Sequence, residues 1–363
     1  MKNRRIELAG KFCLAVSVAL LFPVLELMLP MERFAFRAWE PLLLRRSDPP
    51  LPGLFYPNVS LTLNEVGDLA PYSEQQIAHR HTWITDPFGY RNARLCDNPP
   101  VILMGDSMAS GIGLDQKETI SELITKETGL CTYSFGHDSP EHALKTTIRW
   151  GWHPRYAVLV MVERNFSHLT PYPVIGNHPK VRVTKFLFQE HGLGSLVALA
   201  ERLRASNFYP YREKHGFWPA IQRALFPHTF VSAPPEKQRM FFFQNEEAFS
   251  RPPDNEVQAF TNLVQQYKDG LARLGMKFVV VMVPNKESVY PELIPSQRRA
   301  DLLPRMYREF DLMGISYVDL FHPYRDAYTE RKKIYYHLDD THWNGEGSAL
   351  AASLLKEKLV PVQ

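Results

Sequence analysis

Ser107 is a residue whose surroundings could make it reactive. The apolar run Val101-Ile102-Leu103-Met104 stops abruptly at Gly105-Asp106-Ser107, and a small-residue turn, Ala109-Ser110-Gly111, follows. A hydroxyl is a weak nucleophile until a base removes its proton. Far downstream, His337-Leu338-Asp339-Asp340-Thr341-His342-Trp343-Asn344 offers such a base beside carboxylates. An Asp–x–His pair in one turn supplies a base together with the group that fixes its tautomer. Serine, histidine and aspartate in these roles perform nucleophilic acyl transfer.

These side chains need elements that bring the two ends of the chain together. The run at 101–104 has the β-former content of a buried strand, and the helix-like stretch Gln116 to Thr128 follows its turn. Further strands are expected at Thr132–Phe135, Ala157–Val162, Lys277–Val283 and Ile315–Leu320, with helices at Asn255–Leu274, Pro304–Leu312 and Gly347–Lys358. Such alternation predicts an α/β domain with a parallel sheet flanked by helices. Sites in these sheets lie at the carboxyl ends of the strands, where Ser107 falls. Residues 166–255 break the alternation. They are rich in aromatics (Tyr172, Phe186, Phe188, Phe208, Tyr209, Tyr211, Phe217, Trp218) and predict a large insertion after the third strand. Attached near the serine, that insertion is expected to shape an acceptor groove.

The ordered motifs resemble a known family. Gly105-Asp106-Ser107 near the start of the domain, with an Asp–His near its end, is similar to the SGNH (GDSL-type) hydrolase superfamily. The resemblance is closer to its alginate O-acetyltransferase-like branch, whose members acetylate cell-envelope polysaccharides. Asp86-Pro87-Phe88-Gly89-Tyr90-Arg91-Asn92, Glu163-Arg164-Asn165, Pro284-Asn285-Lys286, Tyr290-Pro291-Glu292 and Asp340-Thr341-His342-Trp343 carry it, across roughly residues 83–360. The superfamily's usual spacing picks Asp339 to orient His342; the branch's Asp–x–His–Trp picks Asp340, and Asp340 is taken. The resemblance implies oxyanion donation by the Ser107 N–H and by Gly136, which stands where a glycine follows the second strand. The superfamily's Asn–Asp pair after the third strand is replaced here, leaving Arg164 and Asn165 as competing third donors. Lys286 is expected to place charge near acceptor or donor. The implied reaction is an O-acetyl transfer through an acyl-serine onto a polysaccharide hydroxyl, with no cofactor. A carbohydrate acetylesterase or a non-catalytic polysaccharide-assembly subunit are the alternatives. The implied partners are a polysaccharide acceptor and a membrane-bound protein that delivers acetyl groups.

Composition narrows the rest. With 45% hydrophobic and 22% charged residues the chain is globular rather than disordered, and a net charge of +3 over 363 residues does not suggest nucleic acid. Residues 12–30 form an apolar run broken by Pro23 and Glu26, just long enough for a spanning helix. An uncleaved signal anchor is therefore expected over 1–31, then a stalk and lead-in over 32–82 and the catalytic domain over 83–363. That layout places the protein in the inner membrane with its domain in the periplasm. Cys96 and Cys131 precede strands expected to be adjacent and parallel, so both lie at one end of the sheet and predict a disulfide. His79-Arg80-His81 has the spacing for two metal ligands on a strand, but no nearby Cys, Asp or Glu completes a set, so no metal is expected.

Overall fold

The computed structural model describes residues 2–29, 37–43, 52–69, 77–174, 240–242, 251–294 and 301–360, with helical positions at 196, 199 and 200. Most of the expected insertion, including every aromatic named in it except Tyr172, lies outside the described residues.

Among the described residues five strands form the central sheet: β3 (Val101–Gly105), β4 (Thr132–Ser134), β5 (Tyr156–Val162), β6 (Lys277–Val283) and β7 (Tyr317–Asp319). Their order is β4-β3-β5-β6-β7 and every pairing is parallel. The continuous apolar runs in β3, β5 and β6 follow from burial on both faces. Alternate residues supply the two cores. Ile102, Met104, Leu159, Met161, Val280 and Met282 face one, and Val101, Leu103, Val158, Val160, Val279 and Val281 face the other. Each of these side chains contributes about 1.5–3 kcal/mol through its burial.

The α-helices whose full ranges lie among the described residues are α1 (Lys2–Met28), α2 (Ser107–Ser110), α3 (Ile120–Thr128), α4 (Pro140–Arg149), α5 (Asp254–Arg273), α6 (Lys286–Val289), α7 (Leu302–Leu312), α8 (Phe321–Arg331) and α9 (Gly345–Leu359). The α/β architecture with a parallel sheet is as the alternation predicts. Asp115 and Glu118 form a capping box just ahead of α3, and Gly129, with φ of 69°, ends that helix in the left-handed region. Asn344 caps α9 by accepting from the Gly347 N–H. That cap fixes where the catalytic-loop candidate, residues 337–343, stops and the last helix starts.

Two expectations for the first hundred residues are corrected. Helix α1 forms, yet no helix among the described residues is long and apolar enough to cross a membrane. Its first turns carry Arg4, Arg5 and a Glu7–Lys11 ion pair, and Glu26 interrupts the apolar remainder. The lead-in also contains regular structure. Strands β1 (Ser60–Val66) and β2 (Ala78–Ile84) pair antiparallel, so the expected boundary between 82 and 83 cuts β2. The alternation was hidden because Glu65 and His81 occupy inward positions beside Leu63 and Trp83.

Cys96 and Cys131 form a disulfide with Cα atoms 6.3 Å apart, closing a 35-residue separation between the approaches to β3 and β4. Replacing both by alanine is expected to lower unfolding stability by about 2–4 kcal/mol in the chain-entropy account. Denaturant titration of the double variant checks this.

Candidate active site

Ser107 sits where strand β3 turns into α2. Gly105 ends the strand with φ of 143°, and a Cβ there would lie 1.8 Å from the Val160 carbonyl oxygen. Only glycine permits β3 and β5 to approach this closely before the turn. Asp106 caps α2: its Oδ1 accepts from the Met108 N–H, and its Oδ2 accepts from the Val162 N–H and from Asn165 Nδ2. The serine is thereby tied to the end of β5. The Ser107 N–H opens α2 and makes no backbone hydrogen bond among the described residues.

The loop before α9 brings His342 to it. His342 Nε2 lies 2.9 Å from Ser107 Oγ, and His342 Nδ1 lies 2.6 Å from Asp340 Oδ1. Asp340 Oδ1 also accepts from the His342 backbone N–H at 2.8 Å. One carboxylate oxygen therefore holds both the ring and its own backbone. Burial works against a charged His342, but the charge and hydrogen bond of Asp340 outweigh it, and the ring titrates above its ordinary 6.5. Burial alone would raise the Asp340 carboxyl; His342 overcomes that and holds it well below the usual carboxylate range.

Asp339 has other work. It is fully buried, its Oδ2 accepts from the Gly67 and Ile77 N–H groups, and its Oδ1 meets His79 Nε2 at 2.8 Å. It joins the loop to the β1–β2 connection and does not touch His342's ring.

Two other expected residues stand differently from the sequence reading. The Gly136 N–H, expected as an oxyanion donor, is used by Ser134 Oγ at 3.1 Å. Glycine is needed there because a Cβ would fall 2.2 Å from the Ser110 backbone nitrogen, so the strand end packs directly on α2. Lys286, expected beside the substrate, is 1% exposed. Its Nζ donates to the carbonyls of His337, Leu338 and Asp340 at 2.6, 2.9 and 3.0 Å, which makes it a brace beneath the histidine loop. Burial pulls it down to about 8, against the raising charges of Glu287 and Asp340. Glu163 is also buried; its Oε2 accepts from the Asn285 N–H and Ser288 Oγ, and burial raises it to about 7.

Asn165 and Arg164 remain at the edge of the site, both half-buried. Asn165 spends one amide hydrogen on Asp106. Arg164 Nη1 donates to Asn285 Oδ1 at 3.2 Å, and its charge acts on His342. With the Ser107 N–H they are hydrogen-bond donors at this edge of the site.

Sequence reasoning assigned no role to Arg91, although Asp86–Asn92 carried part of the resemblance. Arg91 is 2% exposed and its guanidinium covers the ring of Trp83 at 4.0 Å. It donates to the carbonyls of Thr82, Ser110, Gly111 and Leu114 and to Gln116 Oε1, so it fixes the turn that follows Ser107. Burial pulls it down to about 9. Asp86 accepts from the Phe88 and Tyr90 N–H groups, Asn92 Nδ2 and Tyr133 O–H, which anchors that segment against β4.

His79 and His81 both lie on β2. Asp68, Asp340 and His342 place one donor atom each within 4.8 Å of one another, the spacing of a metal site. Their atoms are already engaged, however: both Asp68 oxygens by Thr341 and Arg37, Asp340 by His342 and the Asp68 N–H, and His342 by Asp340 and Ser107. The cluster is therefore a hydrogen-bonded network rather than an open ligand set.

Residues 238–362 match the family model described as "SGNH hydrolase-like domain, acetyltransferase AlgX". The matched stretch contains Lys286, Asp340 and His342 and begins after Ser107. Among curated proteins, the chain is similar to a probable alginate O-acetylase AlgJ of Pseudomonas syringae pv. tomato, at 29% identity over 143 residues, covering 38% of this chain and 36% of the relative. It is also similar to the probable alginate O-acetylase AlgJ of Azotobacter vinelandii, at 26% over 182 residues, covering 47% and 45%. The chain thus spans less than half the length of these relatives. A lipase/acylhydrolase structure from Enterococcus faecalis overlaps 72% of this chain and 98% of its own, at 12% identity and a TM-score of 0.32.

Proposed function

We propose that this chain, an SGNH hydrolase-like protein similar to the alginate O-acetylases, moves acetyl groups onto hydroxyls of an extracellular or cell-envelope polysaccharide through an acyl-serine. The observation that carries the reading is the continuous relay from Ser107 Oγ to His342 Nε2 and from His342 Nδ1 to Asp340. In the first step His342 takes the Ser107 proton as Oγ bonds to the acetyl carbon. The carbonyl electrons move to oxygen, and the Ser107 N–H, with Asn165 and Arg164 alongside, stabilises that charge. The tetrahedral species collapses, the donor's oxygen leaves with the proton from His342, and acetyl remains on the serine. A sugar hydroxyl then gives its proton to His342, attacks the acetyl-serine, and Ser107 recovers the proton as it leaves.

The disulfide supports an oxidising compartment, in keeping with an acceptor outside the cytoplasm. A separate membrane protein that supplies acetyl groups belongs to the same proposal. Hydrolysis by the same relay is the second reading, because water can replace the sugar hydroxyl wherever the site admits it. Incubation with 4-nitrophenyl acetate and mannuronate- or guluronate-containing oligosaccharides separates the two. The proposal expects oligosaccharides heavier by whole acetyl groups, formed only when Ser107 is present. Free acetate as the sole product, at every oligosaccharide concentration, would replace the transferase with an esterase.

A further inference from the structure

Asp68 lies after β1, in the stretch expected to be a lead-in, and the relay above makes no use of it. Its contacts with the histidine loop are reciprocal. The Asp68 N–H donates to Asp340 Oδ2 at 3.0 Å, on the oxygen that does not hold His342. In return Asp68 Oδ1 accepts from the Thr341 N–H at 2.8 Å, and Asp68 Oδ2 accepts from Thr341 Oγ1 at 2.8 Å. Arg37 Nη2 donates to that same Oδ2 at 3.0 Å. The neighbours extend the grip: the Gly67 N–H donates to Asp339 Oδ2 and the Leu69 N–H to the Asp339 carbonyl. Gly67 packs so closely that a Cβ would sit 2.0 Å from that carbonyl oxygen.

Residues 67–69 and 339–341 thus grip each other along the backbone, and Asp68 takes both hydrogen-bond donors of the residue between Asp340 and His342. The Asp68 side chain is 8% exposed, so water competes little for these bonds. We infer that Asp68 is a positioning residue, which holds the Asp340-Thr341-His342 turn in the geometry that aims His342 at Ser107 and adds a second negative charge behind the imidazole.

The charged groups around the ring act from several elements. Asp340 lies in its own turn, Asp68 after β1, Glu65 within β1, Arg164 after β5, His137 after β4 and His337 earlier in the loop. Arg37 acts on Asp340 from the other side of Asp68. Besides Asp340 itself, Asp68 is the group that acts on the ring by charge and also bonds to the turn, and its charge favours protonated His342.

This inference deepens the proposed mechanism by taking His342 as its base, and its test is independent of acetyl transfer. NMR titration of His342 in the full chain is compared between wild type and Asp68→Asn, which keeps the shape and the backbone N–H but removes the charge. The His342 titration is expected to move to lower pH, and kcat/KM toward 4-nitrophenyl acetate to fall about 10²-fold, the scale of a small misplacement of a catalytic group. Thr341→Val keeps the Asp68 charge and loses one bond, so the rate is expected to fall with the His342 titration unmoved. A His342 that titrates as in wild type after Asp68→Asn overturns the inference, whatever the rate. If Ser107 never takes up acetyl in wild type, the proposed function fails, while the NMR comparison still decides the role of Asp68.

Discussion

Asp340→Asn is expected to lower kcat/KM for an acetyl ester about 10⁴-fold, the scale found when the carboxylate of a serine–histidine–aspartate relay becomes an amide. The reason is tautomeric. Asp340 Oδ1 accepts from His342 Nδ1, which leaves Nε2 without a proton and facing Ser107 Oγ. An amide nitrogen in that place would instead donate to Nδ1 and turn the proton toward the serine. The carboxylate also sets the working pH. Wild-type kcat/KM is expected to rise with pH as His342 loses its proton, with a midpoint above 6.5 because Asp340 favours the protonated ring against the effect of burial. In Asp340→Asn the residual activity should rise at lower pH. For stability the sign is opposite for the two partners. The raised His342 contributes fully below its unfolded value of about 6.5 and loses that contribution as pH rises through its folded value. The lowered Asp340 contributes above its unfolded value of about 3.9 and loses it as pH falls further.

Asp339→Asn is the control that makes this specific. Asp339 holds the Gly67 and Ile77 N–H groups and His79, with no bond to the His342 ring. Its amide should weaken the β1–β2 junction while kcat/KM stays within about tenfold, since its contacts are structural. Steady-state kinetics of the two variants checks the assignment. If Asp339→Asn abolishes turnover and Asp340→Asn spares it, the orienting carboxylate has been misassigned.

Arg91→Met is expected to cost about 3–5 kcal/mol of unfolding stability, the range for breaking a buried charged network on one side. Methionine fills much of the aliphatic volume, so the loss falls on polar groups. Four carbonyls, of Thr82, Ser110, Gly111 and Leu114, lose a donor, and for the last three the lost bond is a buried one. Buried Glu65, which burial raises to about 7, also loses the positive charge that lowers it. Denaturant melts report the loss directly. Because Ser110 and Gly111 close the turn after Ser107, turnover should drop as well, even below the melting transition.

The sheet was legible because its strands are apolar on both faces. Val101–Met104, Ala157–Val162 and Lys277–Val283 stand out without any knowledge of their neighbours, and parallel order follows from the helices between them. Ser107, Asp340 and His342 were legible for a related reason: strand end, turn and helix start are local features. The donors around them were not. Gly136 was read as an oxyanion donor from its place after a strand, but the same glycine is required by the approach of α2, and Ser134 Oγ decides where its N–H points. Lys286 was read as a charge offered to acceptor or donor because lysine seldom lies buried, yet three carbonyls converge on it.

The β1–β2 pair was missed for the opposite reason. Its inward positions carry Glu65 and His81, so hydrophobic alternation fails where the strand is doing most for the site. Asp68 follows from that omission. A glycine–aspartate after a polar stretch reads as a turn, and nothing local says that it will meet a loop 272 residues away. Interactions that span the chain at this distance are fixed by tertiary packing and leave no periodic trace.

The central claim is that Ser107 Oγ, activated by His342, takes the acetyl group onto itself. Quenching the protein in acid during turnover of 4-nitrophenyl acetate, followed by peptide mass mapping, measures this directly. The account predicts one added acetyl group on the peptide carrying Ser107, absent from Ser107→Ala and strongly reduced in His342→Ala. An acetyl group on another residue, or undiminished turnover in Ser107→Ala, would contradict it.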